Sequence, residues 1–122
     1  MQKREAKYTT KLQHWIRKNL PAPCVYEVKH TRGKRSFPLR ELSTHQRAAL
    51  LSATTEEGFT FKIPDCGYTN PFDGVLFGSM NAYVIIKFPD ITTVIPIQRF
   101  EMIETPSLSQ EYAMTLASYV IK

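Results

Sequence analysis

Glu27 and Lys29, two apart in Val25-Tyr26-Glu27-Val28-Lys29, have residue types and a spacing that could act together. Successive side chains on an extended strand alternate faces, so Glu27 and Lys29 share one face while Tyr26 and Val28 take the other. An acid and a base so placed are either a surface ion pair or a metal ligand beside a lysine that touches a phosphate. Two further acids, Glu5 and Asp73, stand at the ends or faces of neighbouring elements. The chemistry this set would serve is phosphodiester hydrolysis. There a divalent cation neutralises charge on the phosphorane and lowers the pKa of the attacking water. Mg²⁺ takes oxygen ligands and keeps several waters, so about two or three carboxylates are the expected supply, and the Val28 carbonyl could add another oxygen. Lys29 would orient the water or stabilise charge in the transition state.

The distribution of charge points toward a partner. Residues 1–47 hold twelve Lys or Arg against three Asp or Glu, a balance of +9, and residues 48–122 hold four against eight, a balance of −4. A basic half of this density suggests a polyanion, nucleic acid first. The plainer alternative is a solvated basic surface. At 122 residues the chain is expected to form a single domain, 1–122, with one core. Its two cysteines, Cys24 and Cys66, have neither the number nor the spacing of a zinc site or a disulfide framework, and read as reduced thiols. Met1 to Lys18 is charged throughout, unlike a signal peptide, and the longest apolar run, Ala82 to Ile86, is too short to span a bilayer. The expectation is a soluble, cytoplasmic protein with no membrane partner, in the host cytoplasm if phage-encoded.

The elements that must position these residues can be read in order. Tyr8, Leu12, Trp15 and Ile16 form the apolar stripe of a helix over 1–19, with Lys3, Arg4, Lys7, Lys11 and Lys18 mostly off it. Glu5 points along the inward stripe, either as a helix-start acid favoured by the macrodipole or as a functional carboxylate. Leu20-Pro21-Ala22-Pro23 ends the helix. The strand Cys24 to His30 follows, then a basic loop, 31–35, turning at Gly33. Ser43-Thr44-His45-Gln46 matches a capping box and starts a helix that ends before Gly58. His45 there could contact a phosphate or be an ordinary polar residue. Strands are predicted over 59–63, 72–77, 82–88 and 92–97, the third nearly all apolar and so central. The last three would pair in sequence as a meander. A helix over 107–122 would carry Tyr112, Leu116, Tyr119 and Val120 on one side. The class is α/β (α+β), with a central mixed β-sheet flanked by helices.

Glu27-Val28-Lys29, a basic loop, Ser36-Phe37-Pro38-Leu39 and then His45-Gln46 at a helix start resemble, in order, the PD-(D/E)xK nucleases. The likeness is greatest to RecU-type Holliday junction resolvases and related phage enzymes. Tyr83 to Phe88 looks like the strand that follows that helix in the family, so the likeness covers about 24–54 and 82–100. One departure stands out: the family's aspartate usually lies on the strand just before E-x-K, where this chain has Ala22-Pro23-Cys24-Val25. Pro71-Phe72-Asp73-Gly74-Val75 looks like that strand moved to after the second helix, and Asp73 could reach the site if its strand neighboured that of Glu27. Asp65 is the other candidate, though before Gly67 it also reads as a turn residue, just as Asp73 reads as an acid at a strand start.

The resemblance implies a restriction-endonuclease-like fold and a Mg²⁺-dependent endonuclease, with Mn²⁺ as the alternative ion, acting on branched DNA as a homodimer. It implies Glu27 and Asp73 as metal ligands with Val28, Lys29 as the catalytic lysine, Glu5 as the helix-one glutamate and Gln46 as the helix-two glutamine. DNA phosphates would meet Lys3, Arg4, Lys7, Lys11, His30, Arg32, Lys34, Arg35 and His45, contacts that position DNA without reading sequence. The alternatives are a nuclease of linear DNA, a non-catalytic nucleic-acid-binding module, and a domain whose basic face docks an acidic protein.

Overall fold

The computed structural model describes residues 3–64 and 71–122, with side chains from Tyr8 onward. In chain order these form α1 (Lys3–Asn19), β1 (Cys24–His30), β2 (Ser36–Pro38), a 3₁₀ turn (Leu39–Glu41), α2 (Thr44–Thr54), β3 (Phe59–Lys62) and β4 (Gly74–Phe77). There follow β5 (Asn81–Lys87), β6 (Thr92–Pro96), α3 (Ile97–Phe100), β7 (Ser107–Ser109), α4 (Gln110–Leu116) and β8 (Tyr119–Ile121). The result is a small α+β domain with a mixed sheet. No helix among the described residues is long and apolar enough to cross a membrane.

The organising strand is β5. Ala82 to Ile86 are all buried, so both its faces must be covered, as in a strand at the centre of an α/β sheet. The main sheet has the order β1-β5-β6-β8. β1 runs parallel to β5 in the register Glu27↔Val84 and Lys29↔Ile86, whereas β6 is antiparallel to β5 and β8 to β6. The parallel pair is possible because α2 lies on the crossover between β1 and β5.

Two apolar layers sandwich this sheet. On one face Val84, Ile86 and Ile95 pack with Phe37, Leu42, Leu50 and Phe100, and Val25 joins them from β1. On the other, Leu12, Ile16 and Leu20 of α1 cover Tyr83, Ile85 and Val94, and Cys24 and Val28 join from β1. Fully burying such a side chain stabilises by roughly 1.5–3 kcal/mol. That alternation along β1 fixes the direction of the acid and the lysine: Glu27 and Lys29 belong to the face carrying α2, and α1 lies behind them.

Two expectations are overturned. β4 does not pair with β5; it forms a separate two-stranded sheet with β3, in the register Phe61↔Val75. β5 has one neighbour on each side already, β1 and β6, so no edge is left for β4. Asp73 therefore does not lie on a strand beside Glu27. The Asp73 carbonyl accepts a hydrogen bond from the Ile63 N–H at 2.8 Å, closing the hairpin. Gly74 fits there because a Cβ would come within 2.8 Å of the Phe61 carbonyl oxygen. Nor does one helix fill 107–122. Ser107–Ser109 pairs with Ser36–Pro38, the Ser109 hydroxyl caps α4 by accepting from the Tyr112 N–H, and α4 ends at Leu116. Tyr119-Val120-Ile121, aromatic and β-branched, then completes the main sheet as an edge strand.

Candidate nucleic-acid and metal site

The helix start of α2 and the middle of β1 meet at Glu27. Ser43 is the N-cap of α2: its Oγ accepts from the Gln46 N–H at 3.0 Å, and Gln46 Oε1 accepts from the Ser43 N–H at 3.1 Å. The amide nitrogen of Gln46 is then turned toward the sheet, where it donates to Glu27 Oε1 at 3.1 Å. Lys29 Nζ lies 3.7 Å from the same oxygen. Gln46 thus completes the capping box and also donates to the Glu27 carboxylate. The Lys29 side chain is 22 % exposed and that of Glu27 36 %, so the pair is sheltered on one side and open on the other.

Replacing Ser43 by alanine removes one bond of the box and is expected to cost about 1 kcal/mol. Thermal melting reads that loss, and a Tm equal to wild type would show that the box does not hold α2 in solution.

The open side leads to a cleft of about 570 Å³ lined by Val28, Lys29, His30, Arg32 and Glu41. The basic loop beside it is built, not slack. Thr31 is buried, and its N–H and hydroxyl both donate to the Lys87 carbonyl at the end of β5, at 3.0 and 3.2 Å. The Lys34 N–H closes on the Thr31 carbonyl at 3.3 Å. Arg32 and Gly33 between them have φ of 55° and 86°, the pair of left-handed residues that a type I′ turn requires. This turn leaves Arg32, Lys34 and Arg35 exposed. Arg35 is engaged with Asp90 at 3.2 Å.

The remaining predicted site residues are spread more widely. His45 is exposed in the first turn of α2, one residue before Gln46. Lys11 is exposed on α1. The first turns of α1 come close to the end of β1, since the Tyr8 ring meets that of His30 edge-on at 5.5 Å. The side chains of Lys3, Arg4, Glu5 and Lys7, and the whole of Asp65 and Cys66, lie outside the described residues. Asp73 is exposed at the loop end of the β3–β4 hairpin. Among the described residues no group of three or more His, Cys, Asp or Glu side chains is arranged to hold a metal ion.

Sequence reading missed Glu41, which lines the same cleft as Lys29, and the anchoring role of Thr31. Neither has a local signal: Arg40-Glu41 looks like any polar turn, and Thr31 depends on a strand end 56 residues away. Burial pushes the Cys24 thiol and the Tyr8 phenol up from their ordinary values, although the bond to Thr92 counteracts this for Tyr8. Cys24 packs against the layer that α1 forms with β5 and β6.

No protein-family model, curated protein or solved structure matches the chain.

Proposed function

We propose that the protein is a Mg²⁺-dependent DNA endonuclease of the PD-(D/E)xK type, with a restriction-endonuclease-like core and branched DNA as its substrate class. The observation that carries the reading is the convergence of Lys29 and Gln46 on one carboxylate oxygen of Glu27, beside a cleft lined by His30, Arg32 and the acid Glu41. Mg²⁺ is commonly held by one or two carboxylates, with substrate phosphates and waters filling the rest of its shell. Glu27 fits such an open site, since the bonds from Gln46 and Lys29 fall on Oε1 and leave Oε2 to a cation. Glu41 and Val28, whose carbonyl is a further candidate oxygen, line the same cleft.

A bound Mg²⁺ supplies Lewis acidity, neutralising charge on the phosphate and making water a nucleophile near neutral pH. The chain does the rest. Gln46 holds the Glu27 carboxylate in one orientation from a rigid helix start. Lys29 donates toward the attacked phosphate, orienting water and stabilising negative charge as it develops. Arg32, Lys34, Arg35 and His45 grip backbone phosphates on either side, which sets the position of the strand and not its sequence. A resolvase cuts two symmetry-related strands, so the active unit would be a two-fold dimer.

The test is cleavage of a labelled four-way junction beside duplex and single-stranded DNA, in Mg²⁺ or EDTA, by wild type and Glu27→Ala. Paired, Mg²⁺-dependent cuts in the junction that vanish in the variant are expected. Cuts confined to linear DNA would keep the nuclease and discard the branched substrate. A second reading is a non-catalytic nucleic-acid-binding module, favoured by the exposed basic turn of Arg32 and Lys34, which needs no metal to meet phosphates. It expects tight binding with no cleavage, and equal or tighter binding by Glu27→Ala.

A further inference from the structure

On the far side of the basic loop from Glu27, α1 and the ends of β5, β6 and β8 enclose a cavity of about 370 Å³. That volume falls within the roughly 300–1,000 Å³ of small-ligand sites. Its walls combine two aromatic rings, Tyr8 and Trp15, with three lysines, Lys11, Lys87 and Lys122. Both rings are held in place. The Tyr8 hydroxyl shares a hydrogen bond with the Thr92 hydroxyl at 2.7 Å, and Trp15 stands edge-on to Tyr119 at 5.3 Å. Lys87 Nζ sits 5.2 Å from the centre of the Tyr8 ring, so a positive charge and a ring are presented together. The acid at the rim, Asp90, has its Oδ2 engaged by Arg35 at 3.2 Å and by the Gln110 amide at 3.1 Å, which offsets its repulsion of an anion.

The cavity is also connected. Lys87 lines it and a smaller depression of about 160 Å³ whose other walls include His30 and Arg32. His30 and Arg32 in turn line the cleft beside Lys29. A basic track thus runs from the Glu27 cleft, over the loop at Arg32, to the aromatic cavity.

We propose that this cavity binds one nucleotide of a single-stranded segment flanking the cut, its base against Tyr8 and Trp15 and its phosphate on Lys87 and Lys11. Rings and cations placed together are what unpaired strands need. Base stacking on an aromatic side chain contributes about 1–3 kcal/mol, and a base in a duplex has no free face to offer. The inference rests on the nuclease reading for its location next to a cut, and it narrows the substrate to DNA with unpaired nucleotides beside the scissile bond.

Trp15 is the only tryptophan in the chain, so its fluorescence reports on this cavity alone. The full chain, in EDTA to prevent cleavage, is titrated with a short oligothymidylate, with the same strand made abasic, and with inorganic phosphate. Saturable quenching of Trp15 by the oligothymidylate is expected, with little by the abasic strand or by phosphate. The Lys11→Ala/Lys87→Gln double variant should weaken binding and lower the salt slope of log affinity by about 0.7, the value for one lost phosphate contact on a single strand. Glu27→Gln should quench like wild type, which separates this site from the cleavage chemistry. The proposal is overturned if the oligothymidylate fails to bind, if it binds without changing Trp15 emission, if the abasic strand or phosphate quenches equally, or if the double variant keeps the wild-type slope. Loss of cleavage with quenching intact would refute only the nuclease reading.

Discussion

Glu27→Gln is expected to lower Mg²⁺-dependent cleavage by about 10²–10³-fold in kcat, equivalent to roughly 2.7–4 kcal/mol of transition-state stabilisation, while leaving the fold nearly intact. The substitution keeps the size of the side chain and an oxygen that can accept from Gln46. It removes the charge that attracts a cation and that faces Lys29 at 3.7 Å. Because the pair is partly open to solvent, its loss should cost less than about 1 kcal/mol of stability. Activity and melting temperature therefore come apart, and that separation is the informative result. Cleavage at the wild-type rate would remove Glu27 from the chemistry, and a large fall in Tm would make it a structural residue instead.

The largest effect on stability is expected at Phe37. It is 0 % exposed, lies in the three-residue strand β2, and packs with Leu42, Leu50 and Phe100 beneath α2. Phe37→Ala should destabilise by about 3–5 kcal/mol, since the cavity left behind adds to the lost burial. At roughly 3–5 °C per kcal/mol for a domain of this size, the midpoint falls by about 9–25 °C. Met102, 71 % exposed, is the control: Met102→Ser should stay within about 0.5 kcal/mol of wild type. Urea denaturation of both variants decides it. A loss below about 1 kcal/mol for Phe37→Ala would mean that β2 is not packed as described.

Phe37 also illustrates what could be read from the chain. Within Ser36-Phe37-Pro38-Leu39 it resembled a family motif, and its observed place is a packing position. Local features were legible because their causes are local: the stripe of α1, the alternation of β1, the Ser43–Gln46 box and the buried run of β5 each follow from residues a few apart. Partnerships were not. The three-residue strands β2 and β7 find each other across some seventy residues with no periodicity to announce it. The spacing of Tyr112, Leu116 and Tyr119 continues a helical pattern through Ala117, where the chain in fact turns extended to place β8 beside β6. At the site, the shared face of Glu27 and Lys29 was foreseen, whereas the hydrogen bond from Gln46 to Glu27 was not. The route for Asp73 was not, because a strand's neighbour is set by which sheet edges remain open and not by its own sequence.

The position of β1 has a consequence for how the protein is made. Its one pairing among the described residues is with β5, across residues 31–80, so it stays unsatisfied until the chain has been synthesised to Lys87. Parallel pairing over such a separation forms slowly compared with the β3–β4 hairpin. Even after folding, the outer edge of β1 shows no partner among the described strands, and an open edge can template another chain. Glu27, Lys29 and the basic turn that follows place charge along that edge, a common guard against intermolecular pairing. Neutralising both Glu27 and Lys29 would then endanger solubility as well as chemistry, most of all during synthesis.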